Sequence, residues 1–100
     1  MCGIAGFVNP PGHPADRAIV ARMTDTLAHR GPDGDGIFLD GPAALGHRRL
    51  SIIDVGGGAQ PMPNEDESIW VSYNGELYNE PQLREWLLRR GHRFRNQSDT

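Results

Sequence analysis

The sequence contains no lysine, a single cysteine, and no apolar run approaching the roughly 20 residues a membrane-spanning helix needs. One thiol cannot build an internal disulfide framework and fits a reducing compartment, so a cytoplasmic location is expected. All ten basic residues are arginine, dispersed among thirteen acids for a net charge of −3, so nucleic-acid and membrane partners are not expected. The first apolar run, Ile4 to Val8, has no positive residue before it and stops at Asn9-Pro10-Pro11. It is therefore too short for a signal peptide. The four histidines, His13, His29, His47 and His92, show no metal-ligand spacing, so no metal is expected. Gly56-Gly57-Gly58 lacks the following Lys-Ser or Lys-Thr of a phosphate loop. With 37% hydrophobic residues in one hundred, what remains is globular material for one core.

The lone cysteine is placed where it matters. Cys2 follows the initiator methionine, and its small side chain permits ordinary removal of Met1. One residue would then carry both a thiol and a free α-amine, whose unperturbed pKa of about 7.7 to 8.0 leaves much of it as free base at neutral pH. Nucleophile and general base are then the same residue.

Gly3 to Val8 reads as a buried first strand that holds this nucleophile rigidly. Ala15, Ile19, Met23 and Leu27, widened by Val20, predict an amphipathic helix over about 15–27. His29 to Gly36 is loop by composition. Gly36–Leu39 and Ala43–Arg48 around Asp40-Gly41-Pro42 predict a β-hairpin, and Leu50–Val55 continues as strand. Gln60 to Glu67 reads as connecting loop, and Ile69–Tyr73 as strand on its β-branched and aromatic content. A second helix starts at Asn79 as N-cap, with Pro81 in the first turn, Gln82 three residues on and Tyr78 stapled onto Leu83. Leu83, Trp86 and Leu87 form its apolar face, and Gly91 ends it. Arg93–Arg95 reads as a short return strand. Strand, helix, several strands, helix gives an α+β arrangement.

A thiolate attacking a carboxamide needs donors aimed at the oxygen that becomes negative. Asn74-Gly75, at the end of the aromatic strand, offers a side-chain amide and a backbone N–H, though Asn-Gly is also the commonest turn dipeptide. Holding a free amino acid requires a cation and an anion. Arg48 or Arg49 could grip the α-carboxylate, and Glu76 or Asp99 the α-ammonium. A Cys-His pair using His29 or His47 is an open alternative.

Taken together, Met1-Cys2-Gly3-Ile4, His29-Arg30-Gly31-Pro32-Asp33, Gly46 to Asp54, Gln60-Pro61, Asn74 to Asn79 and Ser98-Asp99 resemble, across the whole chain, the class II glutamine amidotransferase domain of glutamine-hydrolysing asparagine synthetases. The resemblance implies an N-terminal nucleophile (Ntn) hydrolase fold, a four-layer αββα sandwich. Residues 1–100 would be the N-terminal part, about half, of a type 2 glutamine amidotransferase domain, with the synthetase domain absent. It implies Cys2 as the nucleophile and Asn74 with Gly75 as the oxyanion hole. It also implies Arg49 on the α-carboxylate, Leu50, Ser51, Ile52 and Ile53 lining the pocket, and Glu76 and Asp99 around the α-ammonium. The activity implied is hydrolysis of L-glutamine to glutamate and ammonia for ATP-dependent amidation of aspartate. The fragment alone is expected to be inactive. No cofactor is expected in this segment, with ATP and Mg confined to the synthetase domain. The implied partners are L-glutamine, the C-terminal synthetase domain of the same chain and a second copy in a homodimer. The rival readings are a different carboxylate acceptor, or a non-catalytic binding module of the same fold.

Overall fold

A computed structural model describes residues 2–50 and 58–100. It is an α+β arrangement in which β1 (Gly3–Val8), α1 (Arg17–Asp25), β2 (Gly34–Asp40), β3 (Ala43–Arg49), β4 (Met62–Pro63), β5 (Trp70–Val71) and α2 (Glu80–Arg89) follow in order. The first three strands form one antiparallel sheet in the order β1-β3-β2, and β4 and β5 form a second, two-stranded one. The hairpin connection is Gly41-Pro42, with Asp40 opposite Ala43.

Strand alternation divides the central strand between two layers. Gly46 faces α1 at a distance only glycine permits, since a Cβ there would lie 2.0 Å from the Thr24 hydroxyl and 3.3 Å from Val20. Val20 and Thr24 are correspondingly the fully buried residues of α1. Thr24 satisfies its hydroxyl on the Val20 carbonyl at 2.7 Å. The opposite face of the sheet carries Phe38, which stacks on Trp70 with ring centroids 4.0 Å apart, and His47, which bonds Ser72 at 2.7 Å. The chain from 60 to 73 thus covers the face that α1 does not.

Several expectations shift. The first helix is shorter than 15–27, starting after Asp16, whose side chain caps the Ala18 amide. Its buried face is also rotated: Ile19 is 41% exposed while Thr24 is buried, because close approach to Gly46 selects the smaller residue. The aromatic strand is confined to Trp70–Val71, and Met62–Pro63, expected as loop, is its partner. Arg93–Arg95 is not a strand. Of the predicted continuation over Leu50–Val55, Leu50 follows β3 without being part of it, and 51–55 lie outside the described residues.

The second helix has its N-cap at Asn79, but that side chain makes no capping bond. Tyr78 is 89% exposed, so the predicted staple onto Leu83 is not formed. The C-terminus is as expected. Gly91 takes φ +89, which directs its own amide to Leu88 and that of His92 to Leu87. Leu83 and Trp86 stay largely exposed, and α2 is instead tied down through Arg84. Arg84 pairs with Glu80, donates to the carbonyls of Asn96 and Ser98 at 3.1 Å each, and lies 4.4 Å above the Phe94 ring.

Candidate active site

Four parts of the chain converge on one cavity of ≈ 270 Å³, lined among others by Cys2, Arg49, Leu50, Asn74, Gly75, Glu76 and Asp99. That is just below the about 300–1,000 Å³ usual for small-molecule sites, and suits a ligand of amino-acid size.

Cys2 arrives from the edge strand. The pairing of Gly3 with Arg48 places Cys2 one step further on, level with Arg49, so both are directed to the sheet face away from α1. The sulfur is held by the main chain of Leu50, whose amide donates to Sγ at 3.4 Å and whose carbonyl lies 3.9 Å away. The Arg30 Nε donates to the Cys2 carbonyl at 3.1 Å, fixing the backbone of the same residue.

The same parity separates the two arginines. Arg48 lies on the α1 face and donates its Nε to the Gly31 carbonyl at 2.9 Å, whereas Arg49 lines the cavity. The backbone of Arg49 is pinned as well, its carbonyl taking the Asp33 amide at 3.0 Å.

Asn74, Gly75 and Glu76 follow β5 and are solvent-accessible at the cavity wall. Gly75 sits beside the Tyr73 ring, and a Cβ there would come within 2.8 Å of the Tyr73 hydroxyl. Asp99 comes from the C-terminal segment that Arg84 holds, and its Oδ2 accepts the Leu77 amide at 2.8 Å. That bond ties the last stretch of chain to the Asn74–Leu77 turn.

Of the residues read from the sequence, Ser51, Ile52 and Ile53 lie outside the described residues. His47 is committed elsewhere: it is 1% exposed, bonds Ser72 through Nδ1, and does not line the cavity. Burial, with Arg49 nearby, lowers its pKa from the ordinary 6.5. Sequence reasoning did not single out Gly58, Gln60, Tyr73, Ser98 or Thr100 as lining residues. The only signal for them was their neighbourhood to the short words Gln60-Pro61, Asn74-Gly75 and Ser98-Asp99. Among the described residues no group of three or more His, Cys, Asp or Glu side chains could hold a metal ion.

The family model for the glutamine amidotransferase domain matches residues 1–100. The chain belongs to this family. Among similar proteins, glutamine-hydrolysing asparagine synthetase 1 of Bacillus subtilis strain 168 is 47% identical over 103 residues, which is 100% of this chain and 16% of that protein. Asparagine synthetase 3 of the same organism is 42% identical, covering 100% of this chain and 17% of its own length. The glutamine-hydrolysing asparagine synthetase 1 of Arabidopsis thaliana is also 42% identical, over 99% of this chain and 17% of its own. The chain therefore spans about a sixth of the length of these relatives. As a glutamine amidotransferase domain, it has the one residue able to act as a thiol nucleophile, Cys2, on the wall of its cavity.

Proposed function

We propose that this chain is the glutamine-hydrolysing part of an asparagine synthetase, and that Cys2 is its nucleophile. The carrying observation is that a cysteine, a strand-end Asn-Gly, an arginine and two acids, from four distant stretches of sequence, line one cavity. Removal of Met1 would free the Cys2 α-amine, which takes the thiol proton as sulfur attacks the side-chain carboxamide carbon of glutamine. The oxygen that becomes negative is stabilised by the Asn74 side-chain amide and the Gly75 N–H. Returning the proton to nitrogen releases ammonia and leaves a glutamyl thioester. Water, deprotonated by the same amine, then attacks the thioester, releasing glutamate and restoring the thiol. Arg49 holds the α-carboxylate with its planar fork, and Glu76 and Asp99 hold the α-ammonium.

The fold proposed for the complete domain is the four-layer Ntn sandwich, and the two sheets with α1 on the outer face of one are compatible with it. Transfer of the ammonia to an ATP-activated aspartate is assigned to a synthetase domain of the same protein. No residue of this chain is given a role toward ATP or Mg. The test is glutamate release by the full chain. The wild type should hydrolyse glutamine and Cys2→Ala should not, whereas undiminished release from Cys2→Ala would refute the proposal.

A further inference from the structure

Gln60 lines the cavity but has no part in the chemistry just described. Its side-chain amide is used at both ends. Oε1 accepts the backbone N–H of Tyr73 at 2.6 Å, and Nε2 donates to the Thr100 hydroxyl at 3.1 Å. Tyr73 immediately precedes the Asn74-Gly75 pair, and Thr100 immediately follows Asp99. The base of this bridge is itself fixed to the sheet that carries Arg49. The Gln60 carbonyl packs on Gly36 of β2 so closely that a Cβ at Gly36 would lie 1.9 Å from it.

We infer that Gln60 is a positioning residue that sets the distance between the oxyanion-binding turn and the ammonium-binding acid. This rests on the glutaminase reading above. The two walls come from separate parts of the chain, and the Leu77–Asp99 bond links them on one side of the turn only. Gln60 supplies the second link, on the Tyr73 side, and a neutral amide suits the place. It both accepts and donates, and it adds no charge to a pocket that must balance an α-carboxylate against an α-ammonium. With both links in place, Asn74 and Asp99 keep a fixed separation, which is what discriminates one length of amino acid from another.

The experiment uses Gln60→Met, which keeps the side-chain length and removes both hydrogen bonds, and Thr100→Val, which removes only the bond on the ammonium side. Both are made in the full chain, with glutamine hydrolysis and Cys2 alkylation by iodoacetamide measured side by side. For Gln60→Met, kcat should fall and KM rise, lowering kcat/KM by about 10- to 100-fold, the range for leaving a partly buried amide unpaired. Thr100→Val should raise KM by about 2- to 10-fold with kcat nearly unchanged. Iodoacetamide reads the thiol without using either wall, so its rate should stay within about twofold of wild type in both variants. Unchanged kinetics in Gln60→Met would overturn the inference. So would a loss of alkylation matching the loss of kcat, because Gln60 would then be supporting the nucleophile or the fold at large. If Gln60→Met does not fold, the KM of Thr100→Val decides, an unaltered value overturning the assignment. A wild type that fails to release glutamate refutes the glutaminase reading instead.

Discussion

Asn74 and Arg49 are proposed to act on opposite ends of the same substrate, so substituting them should separate binding from chemistry. In the proposed role, Asn74 is engaged only when the carboxamide oxygen becomes charged. Asn74→Ala should therefore cut kcat by about 10² to 10³ with little change in KM, the usual cost of one oxyanion donor. Arg49→Lys keeps the charge but loses the planar fork, and should raise KM by on the order of tenfold with a smaller change in kcat. Reversed patterns, measured by steady-state glutamine hydrolysis, would mean the two roles are misassigned. His47 is a different kind of residue, buried between the layers with Nε2 lacking a hydrogen-bond partner among the described residues. Desolvation, then Arg49, lowers its pKa, so the folded state favours the neutral ring. Below about pH 6.5 the unfolded chain takes up the proton more readily. Stability is then fully present above that pH and declines as pH falls toward the lowered folded value. His47→Asn keeps a group able to bond Ser72 and cannot titrate, so its denaturation midpoint in the full chain should be flatter between pH 7 and 5. An identical slope in both proteins would show that other groups carry the acid sensitivity.

Secondary-structure elements set which of these residues meet. The hairpin delivers Arg49, β1 delivers Cys2, and Arg84 of α2 anchors the segment that ends in Asp99. The contact of α1 with the sheet depends on one glycine. Gly46→Ala forces a methyl group against Thr24 and Val20, and overpacking of this kind costs about 1–3 kcal/mol. A clear drop in the denaturation midpoint of the full chain is expected, and Thr24→Ser, whose hydroxyl still meets that methyl, should not restore it. No drop would mean that α1 can move away freely. Much at this scale was legible. The first strand has the predicted ends, Gly3–Val8, and the hairpin turns where Asp40-Gly41-Pro42 said it would. The buried stripe of α1 was misread because apolar spacing favours Ile19, whereas the chosen face depends on where a distant glycine allows approach. Arg48 and Arg49 were indistinguishable by charge, and strand parity places only Arg49 on the cavity. Gln60 was invisible as a bridging residue because both of its partners, Tyr73 and Thr100, are remote in sequence.

At the scale of the whole molecule, the chain exposes 6631 Å² for 11.0 kDa, against about 5,600 Å² for a compact monomer of that mass. Its radius of gyration is 14.6 Å, where about 13 Å is usual for one hundred residues. The excess is partly apolar: Val8 is 77% exposed and Trp86 50%. Only Val20 and Ala44 are buried apolar residues among those described. Surfaces of this kind are ordinarily covered, and each similar synthetase is about six times as long as the matched stretch. Residues 1–100 produced alone should therefore melt broadly and bind a hydrophobic dye, and a sharp two-state transition without dye binding would contradict this. Within the full chain, the account turns on the state of one end of the polypeptide. The decisive measurement is a peptide mass map of the mature full-length protein after treatment with a diazo-ketone analogue of glutamine. A single adduct should appear on an N-terminal peptide that begins at Cys2, with its amine free. An N-terminal peptide that still carries Met1, from a preparation that hydrolyses glutamine normally, would contradict the account.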